Sequence, residues 1–538
     1  MNAPEKIVAA KVAGTLDRAA ALSSLSEGRR FDVVIIGGGA TGLGIAVDAA
    51  ARGFQVALLE RHDFGKGTSS RATKLLHGGV RYLAQGNISL VREALHERTQ
   101  VLRNAPHLAQ PLAFLTPTYG IKGALIDRPF YGIGLKLYDL LAGAAGLGDT
   151  EFLSAARTLA LMPGVRADHL SGSIRYWDGQ FDDARLAVAL ARTAVAHGAA
   201  LLNHCPVIAL AHDGERVSGV QARDEISGQT LNIQAGCVIN ACGVWVDAVR
   251  RMDQAAPGDM VAPSQGVHLV VDAEFLHSDH ALLVPKTRDG RVLFAVPWLG
   301  KLILGTTDSP RNDLAEEPRP FDEEVAFILE EAARYLARAP GPADIRSVWV
   351  GLRPLVKPPS NDGANTKALS REHTVVVDSS GLTTVTGGKW TTYRAMAEDV
   401  LEACAEQGLI DRRGLGATRD LRLIGAPDDS GQPISAAPGP HLYGSDAAAM
   451  LAMPGARNWL TPELSEAMVR FAVRVEGART LEDVLARRSR LLFLDARAAI
   501  AVAPVVAGLI AQELGQGYDA SADLAAFLGL ADGYCWPS

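Results

Sequence analysis

The stretch FDVVIIGGGATGLGIAVDAAARGFQVALLE, Phe31 to Glu60, constrains this chain more than any other. Phe31 to Ile36 is a short, β-branched apolar run suited to a buried parallel strand. Helical spacing follows over Ala40 to Arg52, and Gln55 to Leu59 returns to strand. The glycines sit at the first switch. Gly37 allows the turn, Gly39 lets backbone approach a pyrophosphate, and Gly42 lets helix and strand pack closely. Ala40 and Thr41 open the helix, whose free N–H groups hold a pyrophosphate. Glu60 ends the second strand, where a carboxylate accepts hydrogen bonds from the adenosine ribose and disfavours a 2′-phosphate. A bare G-x-G-x-x-G serves packing as often as binding. Strand before, helix after and acid at the right offset make this one a dinucleotide-binding unit, without separating NAD from FAD.

At 538 residues the chain exceeds one core, and two or three domains are expected. A net charge of −7 argues against nucleic acid as a partner, yet leaves room for a local basic pocket. Cys205, Cys237, Cys242, Cys404 and Cys535 form no C-x-x-C pair and no metal-like cluster with histidine, so a reduced, intracellular protein with no metal is expected. Met1 to Arg30 lacks the apolar stretch and cleavage site of a secretory signal; it reads as a frayed extension or a short surface helix. Ala498 to Ala511, the longest apolar run, contains Pro504 and Gly508 and reads as a buried helix pair too short to span a bilayer.

After the nucleotide unit, Arg61 to Leu83 is crowded with glycine, small hydroxyls and cations. Thr68, Ser69, Ser70, Lys74, His77, Gly78 and Gly79 offer donors and close backbone approach, as needed along a ribityl-pyrophosphate chain and beside a flavin ring. Ile88 to Ala105 is an amphipathic helix, and the proline-broken Pro106 to Thr118 is expected to cross into a second domain. Pro129 to Ala142 is apolar with aromatics: a core or interdomain face, or, on the sharper reading, a membrane contact. Val217 to Ile233 reads as a hairpin, and Cys237 to Trp245 as a strand whose Gly243 faces the cofactor. Val261 to Thr307 reads as the antiparallel sheet of a substrate domain, and Gly387 to Tyr393 opens a long helix. A linker is placed at Gly425 to Pro440, and Pro462 to Leu528 is nearly all helical pattern. The expected division is an N-terminal extension (1–30), a nucleotide-binding domain in three parts (31–105, 166–260, 351–410), a cap segment (106–165), a substrate domain (261–350), a linker (411–445) and a helical domain (446–538).

Several phrases together resemble the FAD-dependent, quinone-linked glycerol-3-phosphate dehydrogenases of the aerobic type. They are GGGATG, TSSRATKLLHGGVRYL, YWDGQFDDARL, GVHLVV, GTTD, GLRPL, LSREHTV, GGKWTTYR and RTLEDVLARRSRLLFLD, in this order. The resemblance implies an α/β fold: a Rossmann-like FAD-binding domain of the glycine/D-amino-acid oxidase type, an antiparallel substrate-binding sheet and a helical C-terminal domain. It implies oxidation of sn-glycerol 3-phosphate to dihydroxyacetone phosphate, with electrons passed to a membrane quinone. A monotopic contact with the inner face of the cytoplasmic membrane is implied as well, and a homodimer is left open. Cofactor contacts then fall on Gly243, Asp308, Gly388, Lys389, Thr391 and Thr392 beside those already named. Cys242 stands where many relatives have threonine, which leaves the backbone contact intact.

A secondary alcohol bearing a phosphate dianion needs cations, a group to take the hydroxyl proton, and a flavin N5 to take hydride from C2. Arg81, Arg353, Arg371 and Lys389 are the cations expected to meet. Arg353 and Arg371 suit the phosphate oxygens because a guanidinium donates two hydrogen bonds at once, with Tyr82 as a hydroxyl donor. Arg81 suits either the phosphate or the alcohol oxygen. Lys389 is placed to steady developing negative charge, and His268 is the candidate base, with a satisfied sheet histidine as the alternative and His77 as rival. Lys389 or Arg353 can share the proton work.

Competing readings are an oxidase of the same substrate that uses oxygen, a soluble amino-acid oxidase, an FAD-binding tRNA-modifying protein, and a non-catalytic regulatory module. In the last, Arg487, Arg488 and Arg490 would meet a partner or anionic lipid; a solvated or salt-bridged helix face is the plainer account of them.

Overall fold

The computed structural model describes residues 12–79, 87–254, 258–311, 313–357 and 373–537. Two sheets organise it. In the first, strands follow the order His373–Val377, Thr383–Gly387, Thr230–Asn240, Arg30–Ile36, Val56–Leu59 and Ala200–Leu202. Pairing is parallel from Thr383–Gly387 through to Ala200–Leu202. The hairpin Val207–Asp213 and Arg216–Arg223 joins Thr230–Asn240.

The apolar run of the first strand is explained by burial on both faces. Val33 and Ile35 pack with Leu43, Leu186 and Val400, from helices Ala40–Ala51, Asp183–Ala196 and Tyr393–Glu406. Val34 and Ile36 point the other way, to Leu25, Val217 and Val249. Leu25 belongs to helix Arg18–Ser26, and Leu16 N donates to Val475 O at 2.9 Å. Residues 12–30 are therefore packed into the body, and of the two expectations for them the short helix is the one observed.

The second sheet is mostly antiparallel. Its order is Ser309–Pro310, Val261–Asp272, Lys301–Gly305, Leu293–Trp298, Ala281–Val284, Ala109–Tyr119, Leu170–Phe181 and Leu75–Leu76, with Ser347–Val356 also paired to Val261–Asp272. Two expectations shift here. Leu170–Phe181 and all of Ser347–Val356 lie in this sheet, so the nucleotide domain does not begin its second part at 166 or its third at 351. Ala109–Tyr119 is a full strand despite two prolines, because Pro111 and Pro117 flank the two residues, Phe114 and Leu115, that pair with Ala281–Val284.

Residues 425–439 form no helix or strand but are anchored: the Gln110 amide donates to Ser430 O and Gln432 O, at 2.9 and 3.0 Å. The C-terminal bundle contains helices Glu466–Arg474, Ala496–Leu514 and Ala520–Ala531. The expected helix pair is one continuous helix with Pro504 inside it. By length and composition Ala496–Gly517 suffices to cross a membrane, but Ala499, Val502, Ala503, Val506 and Ile510 form part of the bundle core. Arg487, Arg488 and Arg490 are buried among carboxylates, which removes the lipid reading of that cluster.

Candidate active site

A cavity of about 1070 Å³ runs from the glycine turn to the face of the second sheet. At the turn, Gly37 adopts φ +106°, and a Cβ there would come 2.8 Å from Ala241 O. A Cβ on Gly42 would lie 2.0 Å from Gly37 O, so this third glycine serves packing. Ala40 N, at the helix start, donates to Ser69 Oγ at 2.9 Å. Glu60 accepts from Gly38 N at 2.6 Å and from His62 N at 2.8 Å. Gly39, Thr41, Thr68 and Gly243 also line this half. A helix N-terminus, a hydroxyl loop and a carboxylate set along one elongated cavity fit the pyrophosphate and ribose of a dinucleotide.

The other half is built by strand register. His268 is paired with Trp349, Gly266 with Gly351, and Ser264 with Arg353. Alternate residues of a strand share a face, so His268 and Arg353 stand on one surface with two glycines between them. A Cβ on Gly266 would lie 2.3 Å from Arg353 Nη2. Arg353 Nη1 donates to Gln265 O at 3.1 Å and Nη2 to Thr307 O at 2.9 Å, which hold the fork over that gap.

His268 Nε2 pairs with Thr73 Oγ1 at 2.9 Å, and its ring stacks on Trp349 with centroids 4.1 Å apart. Burial, reinforced by Lys74 and Arg353, holds this imidazole well below its ordinary value. It is therefore unprotonated at neutral pH. Lys389 follows Gly388 (φ +72°) into the cavity wall, with Thr391 and His77 on the same side. Burial also pushes the Cys242 thiol up, so no thiolate faces the cavity.

Several expected contacts are displaced. Lys74 is fully buried, donating to Asp183 Oδ2 and Ser70 O at 2.6 and 2.7 Å, and it sits 4.6 Å from the Trp349 ring centre. It backs the His268 stack instead of touching the cofactor, and burial brings it down to about 7 against the pull of Asp183. The hydroxyl of Ser70 turns to Lys66 O, and that of Thr392 to Lys389 O. Gly78 N donates to Tyr138 Oη at 2.9 Å, and Gly79 is a left-handed turn residue behind the wall. Asp308 accepts from Ser264 and Arg353, so it positions the arginine. Arg81, Tyr82 and Arg371 lie outside the described residues.

Thr73, Gly266, Gly351, Arg71 and Trp390 were not anticipated as parts of the site. The glycines carried a signal: G-x-H and G-x-R each place a glycine two residues from a chemical group inside a strand, where glycine marks close approach.

The fold and cavity define a class, the FAD-dependent oxidoreductases, whose family matches residues 32–394; the C-terminal domain of alpha-glycerophosphate oxidase matches residues 440–520. The solved glycerol-3-phosphate dehydrogenase of Bacillus halodurans, complexed with FAD, is 28% identical and superposes with a TM-score of 0.77 over 98% of this chain and 99% of that one. Glycine oxidase from Geobacillus kaustophilus, 20% identical, shares the fold over 72% of this chain and all of its own, with a TM-score of 0.52.

More narrowly, a probable mitochondrial glycerol-3-phosphate dehydrogenase of Caenorhabditis elegans is 43% identical, and the mitochondrial enzyme of Homo sapiens 40%. Each alignment covers 92% of this chain and 72% of the relative. The chain belongs to the FAD-dependent glycerol-3-phosphate dehydrogenase family.

Proposed function

We propose that this chain oxidises sn-glycerol 3-phosphate to dihydroxyacetone phosphate, with Arg353 binding the phosphate and His268 taking the C2 hydroxyl proton. The Gly37–Gly42 turn, Glu60, Ser69 and the wall around Gly388 would hold FAD, which when bound would supply the acceptor for the C2 hydride. The observation that carries the reading is the shared face of His268 and Arg353 across Gly266 and Gly351. A guanidinium fork at one end suits a dianionic phosphate, and a neutral imidazole at the other can accept a proton while charge leaves C2. Thr73 fixes the imidazole through Nε2, and Trp349 fixes its plane. Lys389 adds positive charge beside the developing alkoxide. Arg81, Tyr82 and Arg371 complete the substrate cup in this reading.

The electrons pass to a membrane quinone, with the chain lying on the inner face of the membrane. Support comes from the segment Gly120–Ala142. Ile121, Leu125, Phe130, Ile133 and Leu140 are each 70–80% exposed there, while Leu135 and Tyr138 turn inward. A contiguous apolar helix face with Lys122, Arg128 and Lys136 along it suits a bilayer interface.

The test is the absorbance of purified protein before and after sn-glycerol 3-phosphate under argon. The flavin band is expected to bleach, and to return faster with a soluble quinone than with oxygen; a band that persists sinks the reading, and faster return with oxygen makes the chain an oxidase. In Arg353→Ala, KM is expected to rise about a hundredfold with bound FAD unchanged, the loss of a charged pair of hydrogen bonds.

A further inference from the structure

Arg487, Arg488 and Arg490 face inward, and each has a partner on the loop from Asp63 to Ser70. Arg487 Nε and Arg488 Nη1 each reach Asp63 Oδ2 at 2.5 Å, and Arg488 Nη2 reaches Oδ1 at 2.9 Å. Lys66 Nζ, in the cavity wall, donates to Glu482 at 2.7 Å. Arg490 Nη2 donates to Ser70 O at 2.9 Å and to Asp183 Oδ1 at 3.1 Å. A fourth tie runs from His204, also in the wall, to Asp483 Oδ2 at 2.9 Å. Asp63 and Arg490 are fully buried, and Arg487 and Arg488 nearly so. Burial would raise the Glu482 carboxyl, yet Arg487 and Lys66 hold it at about 2.

Between these anchors lie Gly67, Thr68 and Ser69, and the Ser69 hydroxyl meets the helix start at Ala40 N. Gly65 N adds a bond to Gly38 O at 2.9 Å, inside the glycine turn. Phe64 packs that end of the loop into the core, but Gly65 to Ser70 have little apolar surface to fix their shape, and buried ion pairs supply geometry there where packing does not.

We infer that Glu482–Arg490 is a positioning element of the cofactor site. It clamps residues 63–70 at Asp63, Lys66 and Ser70, so the C-terminal helical domain sets how long FAD stays bound. The inference rests on the FAD reading of the cavity.

The test follows release of FAD from holoprotein after dilution, by flavin fluorescence. Glu482→Gln is expected to release it about tenfold faster, the equivalent of one charged hydrogen bond. Lys66→Met should also speed release, and the double variant should fall short of the product of the two single effects, since Glu482 and Lys66 share one link although Arg487 also reaches Glu482 and Glu317 also reaches Lys66. Glu513→Gln is the control: Glu513 pairs with Arg470 and Arg474 inside the bundle, away from the loop, so release should stay within about twofold of wild type while the melting temperature falls. Release from Glu482→Gln at the wild-type rate, or equal acceleration in Glu513→Gln, overturns the clamp. Wild-type protein without any flavin absorbance would instead overturn the FAD reading beneath it.

Discussion

His268 shows how much one residue owes to its surroundings. A strand histidine in water titrates near pH 6.5, but this one is buried against Trp349 with Lys74 beyond the ring. Its folded value lies well below the unfolded one. Two results follow, with opposite uses of the same sign. The imidazole is unprotonated across neutral pH, so turnover should be level in its protonation from pH 6.5 to 8 and fall only on the acid side. Stability behaves alike: the unfolded chain binds a proton below about pH 6.5 that the folded chain refuses, so the His268 contribution is whole above that pH and is lost as pH falls. His268→Gln is expected to lower kcat by about 10²–10⁴ with FAD retained and the acid limb gone, the range for a lost general base. A variant within threefold of wild type would hand the proton to another group.

Elements carry the next level of argument. The helix Arg128–Ala142 has one side in the protein, where Tyr138 donates to Asp178 at 2.9 Å, and one side left apolar toward solvent. Sequence pattern alone left this stretch between core face and membrane contact, because both need the same residues; the structure shows one side buried and the other exposed, and the membrane contact is the reading proposed for the exposed side. Replacing Ile133 and Leu140 together by glutamate is expected to abolish co-sedimentation with phospholipid vesicles, since burying each side chain contributes about 1.5–3 kcal/mol. Activity with a soluble dye acceptor should remain within twofold. Vesicle binding that survives both charges would move the membrane face elsewhere. The same logic explains why Ala496–Leu514, equally apolar, gets no such role: its inward stripe is the core of the bundle.

At the scale of the whole molecule, the domains are joined by buried ion pairs. Arg185 on the nucleotide side meets Glu476 of the C-terminal domain at 2.7 and 3.0 Å and lies 4.3 Å from the Tyr443 ring centre. Removing one partner strands the other charge in the interior. Arg185→Met is therefore expected to cost about 3–5 kcal/mol, read as a fall in the urea midpoint. The double variant with Glu476→Leu should recover much of it; a double variant no better than the single would show that packing, not charge, joins the domains.

The sequence by itself determined whatever is local or periodic: the strand–turn–helix at Phe31–Glu60, the antiparallel run from Val261, the helical C-terminus, and the family those motifs mark. Each follows from spacing within a few residues, which backbone geometry reads directly. Only the tertiary structure decided which sheet owns Leu170–Phe181, that Lys74 is buried behind the site, and that Asp308 serves Arg353. It also turned the Arg487–Arg490 cluster from surface candidate to buried, ion-paired interior. The physical reason is the same in each case. A charged or strand-forming residue looks alike in sequence whether it faces water, ligand or a partner hundreds of positions away, and long-range pairing alone assigns it.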